Sequence, residues 1–109
     1  MGKASRSKGK LGEREIKDAL TDAGLDFSRE QDGACQACDF RIHSPAIDLE
    51  VRRREKLSLT AWSTEIEAKT PEGRIPAVAY RTNGQPWRVS LPLDDFLTLL
   101  QLPQQEGHK

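Results

Sequence analysis

The sequence predicts an α/β protein with a single mixed β-sheet flanked by helices. Segments of helical periodicity alternate along the chain with segments of alternating polar and apolar residues, and an Asn-Gly pair marks a hairpin. With 109 residues, the chain is long enough for one compact domain but not for two. We therefore expect a flexible basic arm at 1–10, a single domain at 11–102 and a polar tail at 103–109.

The first helix is expected at residues 11–23. Ile16, Ala19, Leu20 and Ala23 recur at helical spacing, and Gly24 suits the C-terminal cap. Glu13 precedes Ile16 by three residues, so it projects from the face that packs on the core. Such a carboxylate can simply complement the helix dipole, or it can belong to a site that other acids complete.

Three strands follow, the first of them short, at 25–29. Residues 39–43 and 47–52 alternate between polar and apolar, which predicts two antiparallel strands joined by a turn at Ser44-Pro45. The period of two places three polar side chains on one face of the later strand: Asp48, Glu50 and Arg52.

The remaining elements are a helix at 61–70, a strand at 75–80, a hairpin at Asn83-Gly84, a strand at 86–91 and a last helix. That helix is expected to begin with Pro92 at its first position and to stop at Pro103. Its apolar residues fall at helical spacing and form one hydrophobic face: Leu93, Phe96, Leu97 and Leu100.

The formal net charge is zero, which argues against a general nucleic-acid binder, but the cations are unevenly distributed. One basic block begins the chain and another follows Glu50; they consist of Lys3, Arg6, Lys8, Lys10 and Arg14, and of Arg52, Arg53, Arg54 and Lys56. Local basic patches attract phosphates whatever the net charge. A solvated face or a mobile tail is the alternative for each block.

Two further features limit the possible classes. Cys35 and Cys38 form a Cys-x-x-Cys pair, but one chain supplies too few other ligands for a zinc site, so we expect small residues in a turn. No apolar run is long enough to cross a bilayer and no secretory signal is present, so we expect a cytoplasmic protein with no membrane partner.

Three acids from separate elements can converge on one site. Asp39 and Glu50 face each other if their strands pair, and Glu13 can point in from the helix. Bound Mg²⁺ is usually held by one or two carboxylates together with water and substrate oxygens, and it activates water for phosphodiester hydrolysis. Arg52, on the face of Glu50, can reach a phosphate. The pattern therefore predicts a metal-dependent nuclease that cuts DNA.

The same residues resemble the archaeal-type Holliday-junction resolvases of the PD-(D/E)xK nuclease superfamily. The resemblance rests on the run from Lys8 to Glu15, on Arg29 before a Gly-containing loop, and on Asp39 followed by Glu50-Val51-Arg52. A helix, an Ile-Pro-Ala-Val-Ala-Tyr strand and a strand containing Trp87-Arg88-Val89 continue the order, so the resemblance covers roughly residues 6–100. Each motif alone is weak, and the ordered set is more specific.

The resemblance implies a restriction-endonuclease-like nuclease core with Glu13, Asp39 and Glu50 as catalytic metal ligands for Mg²⁺ or Mn²⁺. It also implies a homodimer that cuts opposing strands of a four-way DNA junction in recombination and repair. Arg52 joins the catalytic set, and the residues expected to contact DNA are Lys8, Lys10, Arg14, Arg29, Arg53 and Arg54.

Arg52 departs from the family pattern, which has Lys. Arginine does not give up its proton, so it can stabilise a phosphate but cannot act as a base. Either the site works with arginine, with Lys69 as a candidate substitute, or the chain is a non-catalytic branched-DNA-binding protein on the same fold. Asp48 could replace Asp39 as the strand ligand. A third interpretation is an interaction protein whose acids are only surface charge.

Overall fold

The computed structural model describes residues 2–29 and 38–102, with side chains from Lys10 onward. In chain order the elements are helix α1 (Gly2–Asp22), strands β1 (Phe27–Arg29), β2 (Phe40–Ile42) and β3 (Ile47–Arg53), helix α2 (Leu59–Lys69), strands β4 (Ile75–Arg81) and β5 (Arg88–Ser90), and helix α3 (Leu93–Leu100). The predicted polar tail at 103–109 lies outside the described residues.

The five strands form one sheet in the order β1-β2-β3-β4-β5. Only β3 and β4 are parallel, and α2 connects them, whereas the other neighbouring strands are antiparallel. Strand β3 is therefore central, with neighbours on both sides. The mixed sheet flanked by helices confirms the fold class that the sequence predicts.

The two faces of the sheet are covered by different helices. Ile16 and Leu20 of α1 pack against the face that carries Leu49 and Val51. Ile66 of α2 packs against the opposite face, on Val78. Because β3 is covered on both faces, the polar residues at its alternate positions are also buried, which a strand with one wet face would not require.

Helix α1 begins nine residues earlier than the sequence predicts. The backbone of residues 2–10 is helical, where an irregular arm was expected. Lysine, arginine and alanine have good helix propensity, and extending an existing helix adds one hydrogen bond for each residue ordered. A segment without an apolar stripe can therefore continue a helix that tertiary packing has already nucleated.

Glycines at two turns have the conformation expected of them. Gly24 has φ of 77°, and the N–H of Leu25 donates to Leu20 O at 3.1 Å, which ends α1 as predicted. Gly84 has φ of 75° within the β4–β5 hairpin, where the N–H of Gln85 donates to Thr82 O at 3.1 Å. Strand β5 is shorter than predicted, and Pro92 is the N-cap of α3 rather than its first helical residue.

Helix α3 leaves its apolar face uncovered. None of its residues is buried, and Leu93 and Leu100 are 68% and 65% exposed. Phe96, Leu97 and Leu102 are also exposed. Within the described part of the chain, no helix is long and apolar enough to cross a membrane.

Candidate active site

Asp39 and Glu50 lie beside each other on neighbouring chain segments. The β2–β3 register pairs Phe40 with Leu49, so the next pair along is Asp39 and Glu50. The N–H of Asp39 donates to Leu49 O at 3.1 Å, and Asp39 Oδ2 accepts from the N–H of Val51 at 2.8 Å. These bonds hold the Asp39 carboxylate against β3, next to Glu50.

The Glu50 carboxylate is in an unfavourable place for a negative charge. The residue is only 7% exposed, and burial raises the pKa of its carboxyl above the ordinary 4.5. The Asp39 carboxylate raises this pKa further, while Arg52 and Lys69 oppose the increase. Two carboxylates thus lie side by side, one of them buried, and a cation bound between them would relieve their repulsion.

The Arg52 side chain extends from β3 toward α2 and is held by residues of both elements. Its Nη2 forms an ion pair with Glu50 Oε2 and lies 3.2 Å from Glu65 Oε1, while Nη1 donates to Val51 O at 3.2 Å. The guanidinium is therefore fixed beside one oxygen of Glu50. It supplies a permanent positive charge at the carboxylate pair, and it cannot accept a proton there.

Lys69 is placed over Glu50 by the geometry of the crossover. Because β3 and β4 are parallel, the connecting α2 runs back along β3. Glu65 of α2 contacts Arg52 of β3. The step from Glu65 to Lys69 covers four helical residues, about 6 Å, and the step from Arg52 back to Glu50 covers two strand residues, about 6.6 Å. The two steps are nearly equal, so Lys69 lies over Glu50. This placement agrees with the lowering effect of Lys69 on the Glu50 pKa.

Asp48 points to the same face as Glu50 but is fully occupied by arginines. Its side chain is 0% exposed, and its two oxygens accept hydrogen bonds from Arg41 Nε and Nη2, both at 3.1 Å. Arg74 Nε lies 2.6 Å from Asp48 Oδ1, and Arg74 Nη2 donates to Ile42 O and Ile47 O. This network links β2, β3 and the start of β4, so Asp48 has a structural role rather than that of a replacement for Asp39.

Glu13 is half-buried in a basic groove between α1 and β1. The groove has a volume of about 420 Å³, and the cations lining it are Lys10, Arg14, Lys17 and Arg29. The Arg29 guanidinium also lies 5.8 Å from the centre of the Phe40 ring. Lys17 was missed from the sequence, although its spacing from Lys10 and Arg14 places it on the same helix face. The Lys8 side chain lies outside the described part.

Arg53 is less available to a ligand than the sequence suggests. It is on the α1 face of β3, with 16% of its side chain exposed, and its Nε lies 3.9 Å from Glu15 Oε1. The same Glu15 oxygen receives Arg81 Nη1 at 3.0 Å and Trp87 Nε1 at 2.8 Å. Helix α1 can lie close to Arg53 because residue 12 is glycine: a Cβ at Gly12 would be 3.1 Å from the Cβ of Arg53. Arg54, by contrast, is exposed.

The Glu15 cluster was not predicted from the sequence. The Glu13-Arg14-Glu15 run could have indicated it, because residues two apart on a helix point to different sides and Glu15 therefore lies on the side of α1 away from Glu13. Cys38 is buried and disulfide-bonded, where small turn residues were expected, and Cys35 lies outside the described residues.

The donor set fits a divalent cation at Asp39 and Glu50. Two oxygen-bearing side chains are what Mg²⁺ commonly takes from a protein, and a cation would offset both the burial and the Asp39 charge that raise the pKa of Glu50. Across residues 2–29 and 38–102, no three His, Cys, Asp or Glu side chains form a cluster able to hold a metal ion. The structure thus brings Asp39 and Glu50 together and leaves Glu13 in the basic groove.

The fold has a counterpart among solved structures. Hjc, a Holliday junction resolvase from the archaeal hyperthermophile Archaeoglobus fulgidus, matches with a TM-score of 0.57 and 24% identity, over 75% of this chain and 70% of that chain. No protein-family model and no curated protein matches the chain. The match confirms the archaeal-type resolvase fold that the sequence predicts.

Proposed function

We propose that this protein is a metal-dependent endonuclease that hydrolyses DNA phosphodiesters and resolves four-way junctions. The observation that carries the proposal is the Asp39–Glu50 pair: two adjacent carboxylates, one buried with a raised pKa, beside a fixed arginine. The fold that presents this pair is that of a protein described as a Holliday junction resolvase. A carboxylate pair in such a position is suited to hold Mg²⁺, with Mn²⁺ as a substitute.

Each residue of the site has a distinct role in this proposal. Asp39 and Glu50 would hold the cation, whereas Glu13 lies apart from them in the basic groove. When bound, the cation activates water and offsets charge on the phosphate oxygens. Arg52 orients Glu50 and places a fixed positive charge where negative charge develops on the phosphate. Since Arg52 cannot take a proton, the site relies on it for charge alone.

The basic groove is suited to the DNA backbone. Lys10, Arg14 and Arg29 line it, and their spread along α1 and β1 fits a run of phosphates rather than a single small anion. Lys8, Arg53 and Arg54 belong to the same proposed footprint, with Arg54 the more accessible of the last two. Contacts of this kind position DNA without reading its sequence, as a junction-selective enzyme requires.

A homodimer follows from the same proposal, because resolving a junction requires cuts in two strands. The uncovered face of α3 is a suitable surface, since Phe96, Leu97 and Leu100 are exposed at helical spacing. A second copy of this chain would present the same self-complementary face, as a twofold interface demands.

One observation favours a second candidate, a branched-DNA-binding protein that does not cut. Arg52 already occupies Glu50 Oε2 and also pairs with Glu65. An arginine in that position competes with a cation for Glu50. Binding would then depend on the groove alone, and Glu50 would serve only to hold Arg52.

A cleavage assay separates these candidates. Labelled four-way junction and a matched duplex would be incubated with the protein in Mg²⁺, Mn²⁺ or EDTA, beside Glu50→Ala. Glu67→Ala is the matched control, because Glu67 is exposed on α2. The proposal expects paired cuts near the branch by the parent and by Glu67→Ala, and none in EDTA or with Glu50→Ala. Junction binding without any cut in either metal would support the second candidate instead.

A further inference from the structure

A second basic pocket lies at the β4–β5 hairpin, outside the groove of α1 and β1. It has a volume of about 350 Å³ and is lined by Tyr80, Arg81, Thr82, Gln85 and Arg88 among others. Two guanidiniums, a phenol, a hydroxyl and an amide offer hydrogen-bond donors, and no acidic side chain lines the pocket within the described residues. This combination suits an anion with several oxygens.

The register of the sheet places this pocket next to the candidate active site. Arg52 is paired with Tyr80 across β3 and β4, and Tyr80 is paired with Arg88 across β4 and β5. Residues paired in this way share one face of the sheet. Neighbouring strands are about 4.8 Å apart, so the Arg88 backbone lies about 10 Å from that of Arg52. A row of side chains thus leads from the Glu50–Arg52 pair to the β5 edge.

The charges around the pocket are not balanced. Glu15 is a single carboxylate, yet it serves Arg53 at 3.9 Å and Arg81 at 3.0 Å. The Nε atoms of both arginines are buried and have no hydrogen-bond partner within the described part of the chain. The Arg88 side chain is exposed and makes neither a hydrogen bond nor an ion pair with the described residues. Arg88 therefore supplies a positive charge that is available to a ligand, and Arg81, which shares Glu15 with Arg53, adds to the positive charge of the pocket.

We propose that this pocket binds a backbone phosphate of the DNA strand, on the β5 side of the phosphate that is cut. The inference rests on the proposed function, and it names a substrate contact that the groove does not provide. The groove lies on the α1 face near the β1 edge, whereas Arg88 is on β5 and on the Glu50 face of the sheet. The pocket would therefore hold the DNA strand on the β5 side of the cleavage point, which the groove does not reach.

The test is junction binding in EDTA, where cleavage does not intervene, over a range of salt concentrations. Arg88→Gln is expected to weaken binding about tenfold at low salt and to reduce the salt slope by about one. Lys56→Gln is the matched control, because it removes one positive charge from an exposed residue that does not line the pocket. Its loss is expected to be less than about threefold. Equal losses in both variants would overturn the inference.

Junctions with one neutral methylphosphonate each, placed at successive positions around the branch, identify the phosphate. At one position, neutralisation should weaken the parent about tenfold but leave Arg88→Gln unaffected. Additive losses at every position would overturn the inference even if Arg88→Gln binds weakly. A parent that binds but does not cut would refute catalysis without affecting this result, whereas a parent that does not bind DNA would refute both.

Discussion

Replacing Asp48 with Asn tests which acid on the Glu50 face belongs to the site and which belongs to the fold. Asp48 is fully buried and forms ion pairs with Arg41 and Arg74. Asp39 Oδ2 accepts a hydrogen bond from the Val51 N–H, and Asp39 lies beside Glu50. The two variants Asp48→Asn and Asp39→Asn are therefore expected to have opposite consequences for stability and for cleavage.

The expected stability losses follow from these contacts. Removing one partner of a buried ion pair costs about 3 to 5 kcal/mol. Arg41 and Arg74 are 26% and 18% exposed, so water screens them in part, and about 3 kcal/mol is expected for Asp48→Asn. For a chain of 109 residues, this lowers the melting temperature by about 13 °C. Asp39→Asn keeps an oxygen that can accept from Val51 N–H, so its loss should be about 1 kcal/mol.

Urea unfolding gives the stabilities, and cleavage is measured at a temperature where both variants are folded. Asp48→Asn is expected to cut at close to the parental rate per folded molecule, and Asp39→Asn is expected not to cut. An Asp48→Asn variant within about 0.5 kcal/mol of the parent would refute the role of the arginine network. A folded Asp48→Asn variant that fails to cut, beside an active Asp39→Asn, would assign the site to Asp48.

Three further predictions concern Glu50, α3 and Glu15. The pKa of Glu50 is raised in the folded state, so the stability that this group contributes is present below pH 4.5 and is lost as the pH rises through its folded pKa. Glu50→Gln should therefore be more stable than the parent at neutral pH and equally stable in acid, and a urea-midpoint difference that does not vary with pH would contradict this. Phe96→Glu should convert a dimer into a monomer in sedimentation velocity, with little loss of stability because no α3 residue is buried, whereas Asp94→Ala should leave the dimer intact; a monomeric parent would refute the dimer. Glu15→Gln should cost about 1 to 2 kcal/mol through weaker contacts to Arg81 and Trp87, against less than about 0.5 kcal/mol for the exposed Asp18→Asn.

Local patterns were sufficient to predict most of the fold. The helical spacing of Ile16 and Leu20, with Gly24 after them, predicted the end of α1 within one residue. The alternation in β3 predicted which side chains share the Glu50 face, because strand geometry fixes that relationship within a single strand. The pairing of β2 with β3 followed from the short connection between them.

Features that depend on distant contacts were not predictable. The pairing of Asp39 with Glu50 was predicted, but the burial of Asp48 in an arginine network was not, because it depends on Arg74, which is 26 residues away from Asp48. The Glu15 cluster joins residues separated by 66 and 72 positions. The N-terminal extension of α1 has no apolar pattern to signal it, since it continues a helix that packing has already formed.

Mn²⁺ binding, measured by electron paramagnetic resonance with the four-way junction present and absent, tests most directly whether Asp39 and Glu50 form a cation site. The parent and Glu67→Ala are expected to bind Mn²⁺ and Glu50→Gln is not, because this variant removes one of the two carboxylates. Equal Mn²⁺ binding by Glu50→Gln and the parent, under both conditions, would contradict this expectation.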